Sequence, residues 1–451
     1  MSQESQLAKL GLFRAKVPRY TSYPIPENFS PTVGPEHFAS WLGQIPEGSQ
    51  IGLYLHIPYC QNLCWFCMCR TQGARSVAQV EAYVAALEQE IALLKPHLPR
   101  GVHLARLHWG GGTPTILPPE LIAALSTAIA GLAPLAPEAE FSVEIDPNDF
   151  DQPRCDALIK AGLTRASIGV QGFGAKTQQA IGRNLKFETL QDCIEMLRRG
   201  GIRALSTDLL FGLPHQSQTQ ITQDITDLLS LSPDRVALYG YKHLPARIRR
   251  QAMIPSETLP TPEARLALFE SARRCCLQAG YQQIGLESFV RPGDSLIRAR
   301  DSGHLHREFQ DYSDAPTDIL IGLGASAISR LPQGYVQNSP GTAHYMDAVD
   351  RGALASARGH AFQGDDRLRG RMIETLLCHF TIRSADLVAD FPGSAPQVNA
   401  LLDSACAAFP EVLIRTAEGA DLPPGARPLA RVVARAFDAY TDTPPQRIPA
   451  A

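Results

Sequence analysis

A chain of 451 residues is too long for one ordinary hydrophobic core, so a large domain accompanied by a smaller one is expected. Its formal net charge of -3, with 44% hydrophobic and 19% charged residues, excludes a global electrostatic pull toward nucleic acid or acidic membranes and fits a globular enzyme. No run of about 18 apolar residues occurs, and the first residues lack the basic-then-apolar pattern of a secretory leader. Four of the ten cysteines, Cys60, Cys64, Cys67 and Cys69, fall within ten residues, while the others are scattered as small hydrophobes, so this is no disulfide framework. A monomeric, cytoplasmic chain that binds neither membrane nor nucleic acid is expected.

Residues 1–50 read as an N-terminal arm with turn chemistry, including Val17-Pro18-Arg19-Tyr20-Thr21-Ser22-Tyr23-Pro24, where a guanidinium and two phenols could meet an anionic ligand. From residue 51 to about 290, strands alternate with helices. The strands are 51–56, 104–109, 141–145, 166–170, 204–209, 236–239 and 283–286. The helices are 77–94, 118–130, 188–199, 218–229 and 262–278. Three helices end alike, at Lys160-Ala161-Gly162-Leu163, Arg199-Gly200-Gly201-Ile202 and Gln278-Ala279-Gly280-Tyr281, and a left-handed glycine cap is expected at each. Short apolar strands separated by helices imply parallel βαβ units and an incomplete α/β barrel; periodicity alone does not distinguish a closed eight-fold barrel from an open sheet, and in either arrangement ligands bind at the carboxyl ends of the strands. A change of pattern from about residue 360 predicts helices over 367–378, 396–406 and 429–440. The expected division is therefore an arm at 1–50, a barrel with a substrate-side extension at 51–355, and a small, mostly helical C-terminal domain at 356–451.

The chemistry collects after the strands. Cys60, Cys64 and Cys67 stand in a Cys-x3-Cys-x2-Cys spacing just beyond the first strand, so one loop can direct three thiolates at one metal cluster. A [4Fe-4S] cluster with three cysteine ligands keeps one iron open for a non-protein ligand; a zinc site or a set of buried thiols is the alternative. After the second strand, Gly110-Gly111-Gly112-Thr113 lets backbone approach a ligand, although a plain turn would read the same. Glu144, Gln171, Arg183 and Asp208 are further polar residues at strand ends or in the loops after them. The stretch Tyr241–Arg250 is locally basic and could clamp carboxylates or be a solvated face.

The stretch Tyr54 to Arg70, together with the Pro18–Pro24 segment and the glycine motif, resembles the oxygen-independent coproporphyrinogen III dehydrogenase family of radical S-adenosylmethionine (SAM) enzymes. The resemblance runs over roughly residues 15 to 440. It implies a partial (β/α)6 radical SAM barrel, a [4Fe-4S] cluster on Cys60, Cys64 and Cys67, and two SAM molecules. In that family SAM chelates the open iron, and its reductive cleavage gives a deoxyadenosyl radical. Hydrogen abstraction from a propionate, loss of carbon dioxide and transfer of the remaining electron, done twice, convert coproporphyrinogen III to protoporphyrinogen IX. By motif matching, Tyr54, Gly111, Glu144 and Ile328 fall on contacts of the cluster-bound SAM. Phe66, Gly112, Thr113, Gln171, Arg183, Asp208 and Lys242 fall on contacts of the second. A tetrapyrrole substrate and an electron donor such as flavodoxin or ferredoxin are the implied partners.

The chain departs from the family pattern at several points. Lys242 replaces the usual alanine, Gly172 an acidic residue, Glu287-Ser288 an acidic or acidic-and-histidine pair, and Asp311 a glycine, with Ser313-Asp314 in place of two threonines. Cys69 has no cluster role in this reading, because a fourth ligand would block SAM. The departures keep open a radical SAM enzyme acting on another tetrapyrrole-like substrate. A heme-binding chaperone related to the family is the further alternative, although the Pro-Arg-Tyr-Thr-Ser-Tyr-Pro segment is a mark of the dehydrogenase.

Overall fold

The computed structural model describes residues 7, 10–13, 15–309, 311–314 and 317–440, together with the backbone of 448–449. Parts of the arm (1–6, 8–9 and 14) and Gln310 lie outside the described residues. Contacts divide the chain into two compact units: one takes the described residues within 30–259 and 317–361, the other those within 1–29, 260–316 and 362–451.

The first unit is the βα region. Six parallel strands, β1 (Gln50–Ile57), β2 (His103–Gly111), β3 (Leu135–Ile145), β4 (Arg165–Gln171), β5 (Ala204–Phe211) and β6 (Arg235–Gly240), lie in sequence order. On the other side of β1 come β7 (Leu320–Leu323), parallel to it, and then β8 (Ile328–Leu331), β9 (Gly334–Asn338) and β10 (Ser356–Ala361) in antiparallel succession. Alternation decides the buried face: in β4, Ala166, Ile168 and Val170 are buried while the residues between them are partly exposed.

Helix α1 (Val77–Leu94) begins where Ser76 accepts from the Gln79 amide, and it buries Val80, Tyr83, Val84, Leu87, Ile91 and Leu94 at helical spacing. Helices α2 (Pro119–Leu132), α3 (Gln152–Lys160), α4 (Ala175–Ile181), α5 (Phe187–Arg199) and α6 (Gln218–Ser230) complete the crossovers. The expected glycine caps form. Gly162, Gly201 and Gly280 have φ of 96°, 88° and 86°, and the amides of Leu163, Ile202 and Tyr281 each bond back to the carbonyl five residues earlier at 3.0 Å.

The second unit packs Leu12, Val17, Tyr20, Tyr23 and Ile25 of the N-terminal segment in one core with Leu368, Met372, Leu376, Val398, Leu402 and Phe437. Shared burial, rather than chain order, defines this unit, so its limits differ from divisions at 50/51 and 355/356. Two local expectations change. The strand expected at 283–286 is half of an antiparallel hairpin, Gln282–Ile284 with Ser288–Val290, because Gly285, at φ 53°, turns the chain. The helix expected at 429–440 is only Ala430–Ala434 between 3-10 turns, Pro428 lying in the first of these. The C-terminal segment also carries a small sheet of Thr381–Arg383, Gly419–Asp421 and Ile414–Arg415. No helix among the described residues is long and apolar enough to cross a membrane.

Candidate active site

β1 runs into the cysteine loop, and the loop is closed at its base. Tyr59–Cys60 pairs in parallel with Gln72–Gly73, and the amides of Gln72 and Ala74 donate to the carbonyls of Pro58 and Cys60 at 2.8 and 3.0 Å. Its middle is fixed by Trp65, whose amide donates to the Ile181 carbonyl at 2.9 Å and whose indole fills the space a Cβ on Gly182 would need, 2.8 Å away. Gly182 therefore takes φ 66° at the end of α4 and turns the chain into Arg183. Arg183 reaches back: one nitrogen lies 3.6 Å from Cys64 Sγ, both terminal nitrogens pair with Asp146 at 2.9 and 3.2 Å, and one donates to the Gly169 carbonyl at 2.7 Å.

The three thiols feel one another's charge. Burial, with the negative neighbours Cys67 and Cys64, pushes Cys60 up to about 12, and a hydrogen bond from Cys69 holds Cys67 down at about 6 against its burial. Cys69 itself is exposed, and all ten cysteines are free. Among the described residues no three His, Cys, Asp or Glu side chains form a group that could hold a single metal ion. An iron-sulfur cubane attaches each thiolate to its own iron, so the cysteines need to face one volume rather than one point.

Beside the loop stands the glycine turn at the end of β2. A Cβ on Gly110 would come within 2.8 Å of the Glu144 carboxylate, one on Gly111 within 2.6 Å of the His56 ring, and one on Gly112 within 2.5 Å of the Tyr59 carbonyl oxygen. Gly111 also has φ 112°, so glycine is required there by conformation as well as by space. The Gly111 amide donates to Glu144 Oε2 at 3.0 Å, and His108 Nε2 lies 3.4 Å from Oε1. Burial raises the Glu144 pKa, but His108, the Gly111 amide and His56 together hold it below the ordinary value, so the group is a carboxylate at neutral pH. Tyr54 stacks on His108 with centroids 5.7 Å apart and meets His56 Nδ1 at 3.0 Å. The buried His56 has Nε2 at 3.1 Å from the Arg70 carbonyl, which can only accept, so the proton sits on Nε2 and Nδ1 accepts from Tyr54. Burial also lowers the His56 pKa and keeps the ring neutral.

Most of the sequence-predicted residues are joined by these contacts. Gly112 and Thr113 donate to the carbonyls of Ile57 and Tyr59 at 2.7 and 2.8 Å, directly before Cys60. Ile328 lies with its backbone against Gly322, the register partner of Tyr54. Gln171 adopts φ 67°, and its buried Oε1 has no hydrogen-bond partner among the described residues. Asp208 stands in register with Gly169 and Ala237.

Several residues escaped the sequence reading. Gln251 is fully buried; its Nε2 donates to the carbonyls of both Phe66 and Lys242 at 2.9 Å, and its Oε1 accepts from the Leu244 amide. Arg250 donates to the Cys69 carbonyl and the Thr71 hydroxyl at 2.9 Å each. Part of the basic stretch thus secures the cysteine loop. Gln251→Leu is expected to lower the unfolding free energy by about 1–3 kcal/mol, since two part-buried carbonyls and one amide lose their partner. A loss under about 1 kcal/mol in denaturant unfolding would remove Gln251 from this role. His56, His108 and Asp146 were also missed; His56 alternating with Tyr54 on β1 and His108 two residues before Gly110 on β2 were the available signals.

The family departures have local partners. Ser288 Oγ donates to Asp311 Oδ1 at 2.9 Å, so two of the departures bond to each other. Gly172, at φ 149°, places its missing Cβ 2.9 Å from the Asp224 carboxylate, where an acidic side chain would meet a like charge.

Parallel βα strands carrying a three-cysteine loop, a glycine turn and a strand-end carboxylate define a radical SAM fold, and the description of the radical SAM superfamily matches residues 54–228. Relatives named oxygen-independent coproporphyrinogen III oxidase are 53% identical in Cereibacter sphaeroides and 50% in Paracoccus denitrificans, each over 440 residues and 98% of both chains. The solved Escherichia coli coproporphyrinogen III oxidase, a radical SAM enzyme, superposes with a TM-score of 0.89 at 33% identity, covering 94% of this chain and 97% of that one. The chain belongs to the oxygen-independent coproporphyrinogen III oxidase family, whose radical SAM chemistry uses a [4Fe-4S] cluster and SAM. The residues fit that pair: three free thiols on one loop for the cluster, a glycine turn in which any Cβ would collide, and a buried Gln171 Oε1 left without a hydrogen-bond partner.

Proposed function

We propose that the protein oxidatively decarboxylates two propionates of coproporphyrinogen III to vinyl groups, giving protoporphyrinogen IX. The observation that carries this reading is the Gly111–Glu144 hydrogen bond next to the cysteine loop, an anionic acceptor fixed against exposed backbone at the mouth of a parallel sheet. When bound, the cluster and SAM supply the hydrogen-abstracting chemistry, so the protein's part is to bind, orient and exclude water.

Cys60, Cys64 and Cys67 hold the cluster. Glu144 and the Gly111 backbone orient the amino group of the first SAM, with Tyr54 and Ile328 flanking it. Phe66, Gly112, Thr113, Gln171, Arg183, Asp208 and the backbone of Lys242 form the site of a second SAM. Support comes from Arg183, which joins Cys64 to Asp146, and from Gln251, which ties Phe66 to Lys242. An acidic one-electron carrier such as flavodoxin or ferredoxin supplies the electron, and the chain works as a monomer in the cytoplasm, where ten free cysteines remain reduced.

The test is anaerobic turnover of the reconstituted protein with SAM, reductant and coproporphyrinogen III. Two carbon dioxide molecules per protoporphyrinogen, with matching deoxyadenosine, are expected. Deoxyadenosine without vinyl product would transfer the radical chemistry to another substrate, and neither product with an intact cluster would favour a heme-binding chaperone.

A further inference from the structure

Helix α1 buries two polar side chains among its apolar ones, Tyr83 and Glu90, which are 0% and 3% exposed. About two helical turns separate them, so both leave the helix from one face. Both reach the turn that follows β7. The Tyr83 hydroxyl donates to the His56 carbonyl at 2.9 Å and accepts from the Ala325 amide at 2.9 Å, while Glu90 Oε2 accepts from the Gly324 amide at 2.7 Å. The carboxylate also accepts from Asn338 Nδ2 at 2.6 Å and from the Tyr345 hydroxyl at 2.7 Å. Asn338 Nδ2 donates to the Gly324 carbonyl as well, at 3.0 Å. Gly324 has φ 94°, and a Cβ on it would come within 2.6 Å of both the His56 carbonyl oxygen and the Tyr83 hydroxyl.

Apolar side chains would fill this part of the core at no electrostatic cost. A buried carboxyl without a counter-ion is expensive, and among the described residues no cation pairs with Glu90. Burial pushes it up to about 7, and the donors Tyr345, Gly324 and Asn338 oppose that shift by favouring the charged form. The polar atoms hold backbone instead. On one side of the Tyr83 bridge lies His56, whose ring fills the space beside Gly111 and meets the Tyr54 hydroxyl at 3.0 Å. On the other side, the turn at Ala325 leads into Ile328 at the start of β8. The Tyr83 ring also meets Tyr59 edge-on, with centroids 5.5 Å apart, directly before Cys60.

We infer that Tyr83 and Glu90 are positioning residues for the cluster-bound SAM: they clamp the end of β1 to the turn that enters β8, and so set the separation between the Tyr54–His56 side and the Ile328 side of its site. This rests on the assignment of Tyr54, Gly111, Glu144 and Ile328 to that molecule. Neither Tyr83 nor Glu90 touches SAM or a reacting atom in this scheme. Tyr83 acts through the His56 carbonyl and the Ala325 amide, and Glu90 through the Gly324 amide.

The experiment uses the anaerobically reconstituted, unreduced protein, to which SAM binds without turnover, and the variants Tyr83→Phe, Glu90→Gln and Glu90→Leu. Hydrogen–deuterium exchange over residues 322–328 reads the site beside Ile328 directly, away from the residues assigned to the second SAM. In wild type, SAM should slow exchange there. Tyr83→Phe keeps the ring and removes only the bridge, so the SAM concentration needed for half-protection is expected to rise about fivefold. Gln at position 90 keeps an acceptor for the Gly324 amide, so Glu90→Gln is expected to cost about threefold and Glu90→Leu about tenfold or more, a rescue by the conservative variant. Cluster absorbance and the affinity for coproporphyrin III, read by fluorescence, should stay near wild type in Tyr83→Phe, which keeps the test decisive where Glu90→Leu fails to fold. Unchanged SAM-dependent protection in a folded Tyr83→Phe protein would overturn the inference. Equal losses of affinity for SAM and for coproporphyrin III would overturn it too, as a general loosening of the core. Wild-type protein that binds SAM without protecting 322–328 would instead overturn the assignment of Ile328 beneath it.

Discussion

Cys64→Ser is expected to abolish both the visible absorbance of the reconstituted cluster and the cleavage of SAM, a loss of at least a hundredfold in turnover. A serine hydroxyl is a hard, weakly acidic donor where a soft thiolate is needed, and three ligands leave no spare one to compensate. The position is also the point at which Arg183 approaches the loop, 3.6 Å from the sulfur, so the substitution weakens the link through Arg183 to Asp146 as well. Stability should change little, within about 1 kcal/mol, because Cys64 is only partly buried. Retention of either absorbance or cleavage in the anaerobic protein would sink the three-cysteine assignment. Cys69→Ser is the matching control: that thiol is exposed, and its cluster absorbance should survive.

Local rules made most of the βα unit legible. Strand alternation, helical spacing and glycine caps predicted seven strands, of which the first six are the parallel β1 to β6, and most of the helices between them, because each of those signals acts within a few residues. The antiparallel run β7 to β10 was not read, since its strands are short and its partners are set by pairing with β1, a contact between residues more than 260 positions apart at Gly52 and Leu320. The same limit explains the hairpin at 282–290. A strand signal carries no direction, and only the turn at Gly285 decides that the chain doubles back.

At the site, residue types at fixed spacing were readable and the groups that hold them were not. The cysteines and glycines announce themselves because spacing and the lack of a side chain are sequence properties. Gln251 does not, since a glutamine in a basic stretch looks like surface until its amide is found bridging Phe66 and Lys242. Arg250 was read as a possible carboxylate clamp, but it is turned onto the Cys69 carbonyl. The bond between Ser288 and Asp311 is a third case: each residue alone reads as a departure, and together they form one hydrogen bond.

Gly112→Ala is expected to reduce turnover at least a hundredfold and to cost about 2–4 kcal/mol of stability, from a single added methyl. The Cβ would stand 2.5 Å from the Tyr59 carbonyl oxygen, 2.9 Å from its carbon and 3.0 Å from the Ile57 oxygen, all backbone atoms that cannot rotate away. Those oxygens are the acceptors for the Thr113 and Gly112 amides, so relief of the clash breaks the bonds that fix the glycine turn to the end of β1. Tyr59 immediately precedes Cys60, and displacement there moves a proposed cluster ligand along with the glycine turn proposed to cradle SAM. The effect should therefore appear in two separable measurements, a weakened cluster absorbance after reconstitution and a raised KM for SAM. Gly131, in the exposed last turns of α2, has nothing within 4 Å of an added Cβ, and Gly131→Ala should leave both measurements at wild-type values. A Gly112→Ala protein with normal cluster and normal SAM affinity would mean that the β1 end yields without disturbing Cys60, and the coupling of cradle to cluster through Tyr59 would have to be abandoned.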